Sequence, residues 1–463
     1  MLGPTRRAHF IGVGGSGMSP LAEILLRGGI HVSGSDVKAS DVTEHLQALG
    51  LDFREGHDAA HVGDVDVVVR SSAVRLANPE VVEAGRRGIP VILRGELLAE
   101  LMRGKSGVAI AGAHGKTTTT SMVGLVLDRA GLDPTVVIGG RLAQFGSSAR
   151  VGGGEVLVAE ADESDRSFLM LAPVHAVVTN IDHEHLESYA GFEDLVQAFA
   201  SFIARVPFYG AAVCCSDDEV LRRLAASTPR RLVRYGLDDP NADLTATDVA
   251  LEGFGLRASI VRRTRAGRET LGTLTLQVPG RHNLLNALAA IGIGLELHVP
   301  FATIVAALAE FRGAERRFER KGDARGVTVV DDYGHHPTEI TAVLRAARET
   351  GARRIVCVFQ PHRYTRTAQL LHEFGPALAL ADEIVLTDIY PAGEDPLPGV
   401  TIERLAEEVQ RAHGGRVHVV KALADVPAAV ARIATPGDLV LTMGAGSVGS
   451  LGPRVVEAIA SWP

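Results

Sequence analysis

The stretch Val108–Ser121, VAIAGAHGKTTTTS, decides the fold. Val108 to Ala111 are small and apolar, the composition of a parallel strand buried on both faces. Gly112, Ala113, His114 and Gly115 make a tight turn. Lys116, Thr117, Thr118 and two further threonines lead into MVGLVLDRAG, whose apolar residues recur at helical spacing. A strand that passes through a glycine turn into a helix gathers unpaired backbone N–H groups and the positive end of the helix dipole at one place. Lys116 adds a full positive charge there, and Thr117 adds a hydroxyl that can ligate Mg²⁺. This is the layout of a phosphate-binding P-loop. Ile110 stands where the usual pattern has its first glycine, so the turn, which begins at Gly112, is shorter. The competing reading is a glycine-rich turn with a surface lysine.

Working outward, the next strand-like run ends in EADESDRSF and the one after it in TNIDHEHLESY. In an open α/β sheet both ends should face the same edge as the P-loop. Glu160 and His185 are therefore candidates to reach a metal held by Thr117 and a nucleotide's phosphates. Mg²⁺ prefers hard oxygen ligands, and one histidine in the shell makes Mn²⁺ an expected substitute. Asp162, Glu163 and Asp165 read as a solvated acidic loop, and His183 as incidental. Residues 241–278 alternate in a strand-like way and predict a β-rich insertion. A helix follows from PGRHNLLNALAA, with His282, Asn283 and Asn286 in its first turn. Asn283 and Asn286 share a face; they are either caps or readers of an adenine edge.

Upstream, AHFIGVGGSGMSPLAEILLRGG reads as strand, glycine turn and helix. Gly12, Gly14 and Gly17 fit G-x-G-x-x-G, and Asp36 ends the next strand about 20 residues on, the dinucleotide fingerprint in its expected context. VDVVVRSSAV and IPVILRGELL add two strand-like runs. The loop cannot separate NAD(P) from another nucleotide diphosphate, since both offer a pyrophosphate to the same N–H groups. A tight turn without a ligand is the third possibility. Downstream, VTVV, RRIVCVFQ, DEIVLTDIY, VHVV and DLVLTMG alternate with helical stretches and form a last α/β domain. Polar clusters follow its strands, where open sheets place ligands.

The composition is that of an ordinary globular chain: 463 residues, 46% hydrophobic, 22% charged. Its net charge of −8 argues against a nucleic-acid partner. Cys214, Cys215 and Cys357 form no disulfide framework and no CxxC pair, which points to a reducing compartment. No run approaches the ~18 apolar residues of a membrane span, and no signal peptide is evident. The expectation is a cytoplasmic protein with no membrane partner.

GVGGSGMS, AGAHGKTTTTS, EADESDRSF, TNIDHEHLESY, GRHNLLNALAA, ERRFE, DDYGHHPTE, FQPHRYTRT, DIYPAGEDP and TMGAGSVGSL resemble, in order, the motifs of the Mur ligase family. DDYGHHPTE and FQPHRYTRT favour its alanine-adding branch. Ala113 stands where the family often has threonine. The resemblance implies a three-domain α/β architecture, with Rossmann-like N- and C-terminal domains flanking a P-loop ATPase-like centre. Residues 1–104 would hold UDP-N-acetylmuramate, 105–313 ATP, and 314–463 L-alanine. The implied protein is a monomer or weak homodimer. By the same resemblance Gly14, Gly15, Ser16, Gly17, Met18, Ser35, Asp36, Ser71 and Ser72 would meet the UDP-substrate. Gly112, Ala113, His114, Gly115, Lys116, Thr117, Thr118, Asn283, Asn286, Arg317 and Asp332 would handle ATP. Thr117, Glu160 and His185 would hold the metal. Tyr333, His335, Arg363 and Arg366 would sit near alanine. Lys116, His185, Arg317 and His335 would be catalytic.

Overall fold

Three runs of alternating strand and helix build three sheets. The computed structural model describes residues 2–142, 147–184 and 186–462. The first sheet is parallel and carries β1 (Arg7–Ile11), β2 (His31–Asp36), β3 (Asp52–Glu55), β4 (Val67–Arg70) and β5 (Val91–Leu93) in the order β3-β2-β1-β4-β5. Ala8, Phe10, Ile11, Val32, Val68 and Val69 are buried, as central parallel strands with covered faces require. Strand order reverses beside β1, so the glycine turn after β1 opens at a topological switch point. Helices α1 (Ser19–Arg27), α2 (Asp41–Ala48), α3 (Pro79–Arg86) and α4 (Arg94–Arg103) complete this layer. The IPVILRGELL run is strand only over Val91–Leu93; the helix formers that follow Arg94 turn the chain into α4. Asp52–Glu55 gave no strand signal, being a short polar edge.

The second sheet has ten strands, in the order β15-β14-β13-β12-β11-β10-β6-β9-β7-β8. Its parallel part comprises β6 (Ser106–Ala111), β7 (Thr135–Leu142), β9 (Val156–Glu160), β10 (His175–Val178), β11 (Ala211–Cys215) and β12 (Leu232–Tyr235). β8 (Ser147–Arg150) runs antiparallel to β7. β13 (Leu244–Glu252), β14 (Gly255–Thr264) and β15 (Gly267–Leu276) are the expected β-rich insertion. α5 (Lys116–Arg129) leaves the sheet directly after β6. Cys214 and Cys215 on β11, and Cys357, are free, buried thiols.

By contact density the chain forms two compact units. One holds residues 1–248, 258–274 and 285–311, and the other 249–257, 275–284 and 312–463. The second unit contains the last sheet: β16 (Glu319–Ala324), β17 (Val327–Asp332), β18 (Arg354–Phe359), β19 (Glu383–Leu386), β20 (Val417–Val419) and β21 (Asp438–Met443), ordered β16-β17-β21-β18-β19-β20. Alternate residues serve opposite faces. Ile355, Cys357, Phe359, Leu439, Leu441 and Met443 enter one core, and Val356, Val358 and Val440 the other. The antiparallel edge β16, ERKGDA, escaped the sequence reading because charged residues dominate it and it lacks an apolar alternation.

Candidate active site

β6 ends at Ala111, and the turn beyond it is shaped by two glycines. Gly112 has φ +133°, and a Cβ there would stand 2.1 Å from Thr179 Oγ1. Gly115 has φ +83°, and its Cβ would stand 2.6 Å from Asn286 Oδ1. Neither position accepts a side chain. Asn180 pins the turn: the amides of Ala113 and His114 donate to its backbone and side-chain oxygens at 3.2 and 2.8 Å. Thr179 Oγ1 donates to His114 O at 2.6 Å. The His114 ring is tied to Asp182 at 2.8 Å. Among the described residues the backbone N–H groups of Gly115, Lys116, Thr117 and Thr118 find no backbone partner. Four amides and a helix N-terminus thus point at one spot, as an anion site requires.

Lys116 is folded back into this turn. Its ammonium donates to Gly112 O at 2.6 Å, to Ala113 O at 3.2 Å and to Glu163 Oε1 at 2.7 Å. Burial opposes its charge, but Glu163 and Asp162 outweigh that and raise its pKa. Glu163 is 2% exposed, so the reading of residues 162–165 as a solvated acidic loop is corrected. Burial pushes the Glu163 carboxyl up to about 7, with Lys116 pulling the other way. Asp162 and Asp165 clamp Arg94 at 2.5 and 3.2 Å. Burial resists the Asp162 charge, yet Arg94 and Lys116 hold its carboxyl well below the usual range. An acidic run has no periodicity that separates a buried member from a solvated one; position against the P-loop decides it.

Glu160 pairs in register with Ile110, which brings it to the edge where the Gly112 turn begins. Its Oε2 would lie 2.9 Å from a Cβ on Gly139, so a glycine makes room for the carboxylate. Thr117 is the second residue of α5 and is partly exposed. A carboxylate and a hydroxyl are hard oxygen donors and fit Mg²⁺. His185 lies outside the described residues. Asn286 is 6% exposed and accepts from Thr119 Oγ1 at 3.2 Å, bracing α5 and covering Gly115. Thr118 is buried in the same turn. A cavity of about 790 Å³ lined by Ser106, His175 and Leu232 opens at the opposite edge, where these strands begin, so it is not the phosphate site.

In the first sheet the glycine turn is held by Asp36. Gly14 N donates to Asp36 Oδ2 at 2.8 Å, and Gly12 N and Val13 N donate to Ser35 O at 2.8 and 3.0 Å. Gly15 and Ser16 are exposed and Gly17 is half-buried, whereas the Met18 side chain is buried. A Cβ on Gly17 would stand 2.5 Å from Arg94 Nη1, so Arg94 links this turn to the acidic loop. Ser71 is partly exposed, with its Oγ accepting from Ala73 N, and Ser72 is exposed. Ser35 is fully buried and its hydroxyl donates to Glu80.

The second unit has its own polar cluster. Asp332 ends β17, accepts from Phe318 N at 2.8 Å and Gly334 N at 2.7 Å, and is pushed by burial up to about 6 against the pull of Arg317. Arg317 lies 5.1 Å above the Tyr333 ring, between Arg316 and Phe318, whose φ values are +56° and +49°. Such strain in ordinary residues concentrates at functional sites. Tyr333, His335 and His362 follow one another at ring separations of 5.4 and 5.7 Å, and Arg366 Nη1 is 3.3 Å from His362 Nδ1. Burial, with His335, Arg366 and Arg363 adding to it, lowers the His362 pKa to about 4, so its ring is neutral. Arg363 sits on the same turn at φ +70°. His362 went unnoticed in the sequence because nothing sets it apart from its basic neighbours. Asn283 donates to Pro279 O at 2.7 Å, and His282 is lowered by burial to about 4.

Comparison with known proteins adds a second line. The Mur ligase family catalytic domain profile matches residues 7–106, the Mur ligase middle domain 110–294, and the Mur ligase glutamate ligase domain 316–446. The chain is 51% identical to a UDP-N-acetylmuramate–L-alanine ligase of Koribacter versatilis, covering 100% of this chain and 99% of that one. It is 52% identical to the enzyme of that name from Geobacter sp. strain M21, covering 98% of each. The structure of a UDP-N-acetylmuramate-alanine ligase from Thermotoga maritima superposes with a TM-score of 0.82 at 30% identity, covering 97% and 98% of the two chains.

Proposed function

The chain belongs to the Mur ligase family, and from that premise we propose that it is an ATP-dependent ligase joining L-alanine to the lactyl carboxylate of UDP-N-acetylmuramate. The observation that carries this reading is the P-loop. It offers four unpartnered amides and Lys116 at the head of α5, within a chain similar end to end to enzymes of that activity. A free carboxylate is a poor acyl donor because its leaving group would be oxide. Transfer of the γ-phosphoryl group of ATP to that carboxylate gives an acyl phosphate and ADP. The alanine amine then attacks, and the tetrahedral intermediate expels phosphate. The product serves as a precursor for peptidoglycan.

Both steps build negative charge on oxygens, so the protein's part is cationic and positional. Lys116 leaves Glu163 for the phosphates, and the amides of residues 115–118 cradle them. Thr117 and Glu160, with His185, would hold Mg²⁺, or Mn²⁺ in its place, and the ion would supply charge neutralisation on the phosphate oxygens. Residues 1–104 carry the UDP-substrate on the first glycine turn, 105–313 carry ATP, and 314–463 bring alanine. Arg317 and Asp332 serve the nucleotide from the last segment. Arg363 and Arg366 clamp the alanine carboxylate, a geometry suited to guanidinium forks, and His335 stands by the amine. Among the described residues no helix is long and apolar enough to cross a membrane.

The test is phosphate release from ATP and Mg²⁺ with UDP-N-acetylmuramate, with and without each of several amino acids, together with detection of the amide. Release that depends on both the sugar nucleotide and L-alanine is the expected result. Absence of a new amide would overturn the reading.

A further inference from the structure

A buried polar network lies under the first glycine turn, where Glu80, His9, His57 and Ser33, none of them given a role in the proposed reaction, gather around Ser35. Glu80, in the first turn of α3, is 0% exposed. Its amide is capped by Asn78 Oδ1 at 2.9 Å, which fixes the start of the helix. Its Oε2 meets His9 Nε2 at 2.6 Å and Ser35 Oγ at 2.8 Å. Its Oε1 meets His57 Nδ1 at 2.8 Å and Ser35 Oγ at 2.9 Å. His9, also 0% exposed, places its other nitrogen 2.8 Å from Ser33 Oγ, its register partner on β2. Burial disfavours the Glu80 charge, but hydrogen bonds from His9, Ser35 and His57 outweigh it and hold the carboxyl below its ordinary range.

An ionised carboxylate only accepts, so every group facing it donates. The proton of His9 is then on Nε2, leaving Nδ1 to accept from the Ser33 hydroxyl. In the neutral ring of His57 the proton is on Nδ1, leaving a lone pair on Nε2. Each assignment satisfies the others. His57 is the network's outlet: its side chain is 24% exposed, while Glu80 and His9 are sealed. Among the described residues its Nε2 has no hydrogen-bond partner. The ring stands beside Ser35, 3.2 Å from its hydroxyl, and the carbonyl of Ser35 holds the Gly12 and Val13 amides of the turn. His57 therefore sits at the carboxyl edge of the sheet, where a nucleotide on that turn would lie.

We propose that Glu80 is a positioning residue that locks His57 with its proton on Nδ1, so that Nε2 accepts a hydrogen bond from the uridine part of UDP-N-acetylmuramate. The inference rests on the assignment of the first domain to that substrate. Three donors of this chemistry exist on uridine: the N3–H of the base and the 2′- and 3′-hydroxyls of the ribose. A histidine whose tautomer is fixed from behind reads a donor and rejects an acceptor, because no rotation of the ring can supply a proton from Nε2.

The experiment uses the full-chain enzyme and varies UDP-N-acetylmuramate at saturating ATP and L-alanine. His57→Phe keeps a flat ring at a partly exposed site and should raise KM for the sugar nucleotide about five- to tenfold, the range of one lost hydrogen bond. Turnover at saturation and the KM values for ATP and alanine should not move. Glu80→Gln should raise the same KM. In ¹⁵N spectra of histidine-labelled protein it should also shift the His57 proton away from Nδ1. UDP, N3-methyl-UDP, 2′-deoxy-UDP and 3′-deoxy-UDP as competitive inhibitors separate the three donors: the analogue lacking the true donor binds wild type more weakly, and that difference vanishes in His57→Phe. A KM within twofold of wild type in His57→Phe overturns the proposal. So does a wild-type spectrum with the His57 proton on Nε2. Should Glu80→Gln fail to fold, the wild-type spectrum and His57→Phe still decide. An enzyme that forms no amide at all refutes the ligase reading instead.

Discussion

Lys116 is held by groups that a nucleotide must displace: two loop carbonyls and the buried Glu163. Lys116→Ala should lower kcat by about 10³-fold, roughly 4 kcal/mol of barrier, measured as phosphate release. A loss under about tenfold would remove the lysine from the phosphates. Glu163 yields a pH prediction. Burial raises its pKa from 4.5 to about 7 in the folded protein. A raised acid favours folding in full below its unfolded pKa and loses that contribution as pH rises through the folded value. Thermal unfolding of the ligand-free protein should therefore carry a downward component between pH 4.5 and 7 that Glu163→Gln abolishes. Identical profiles for the two proteins would show that Glu163 titrates normally.

At the scale of elements, the strand–turn–helix unit of β6 and α5 depends on its first glycine. Gly112→Ala places a Cβ within 2.1 Å of Thr179 Oγ1 at φ +133°. Gly191→Ala meets nothing within 4 Å at φ +151°. Urea denaturation should show Gly112→Ala destabilised by about 1–3 kcal/mol more than Gly191→Ala, because overpacking adds to backbone strain. Equal midpoints would mean the loop relaxes freely. Arg94, at the head of α4, joins the first glycine turn to the acidic loop. Arg94→Ala leaves Asp162 and Asp165 facing each other and should cost about 2–4 kcal/mol, with faster amide exchange over residues 162–167. Unchanged exchange there would show that the loop does not rely on Arg94.

For the whole molecule, an alanine-adding ligase has one methyl group by which to tell alanine from glycine. One methyl in an apolar pocket discriminates by about 1–3 kcal/mol. Glycine should be a slow but real substrate, with kcat/KM lower by roughly 10–200-fold. Complete rejection would point to a conformational check in place of a simple pocket. The three cysteines take no part in this chemistry: burial pushes each thiol up to about 12.

Sequence alone determined the order of strands and helices around each glycine turn, the P-loop with Lys116, and the three-sheet plan. Each of these is local: a buried parallel strand must be apolar, a tight turn at positive φ favours glycine, and an amphipathic helix repeats at its own period. The family motifs named the chemistry because their residues keep a fixed spacing along the chain. Tertiary structure decided what spacing cannot encode. It buried Glu163 against Lys116 and left Asp162 and Asp165 for Arg94. It set His362 between His335 and Arg366 and drew His9, Ser35, His57 and Glu80 into one network from four separate segments. The physical reason is that an ionisable side chain reads the same in a sequence whether water or a partner surrounds it. Only the packing of distant segments determines which of the two it meets.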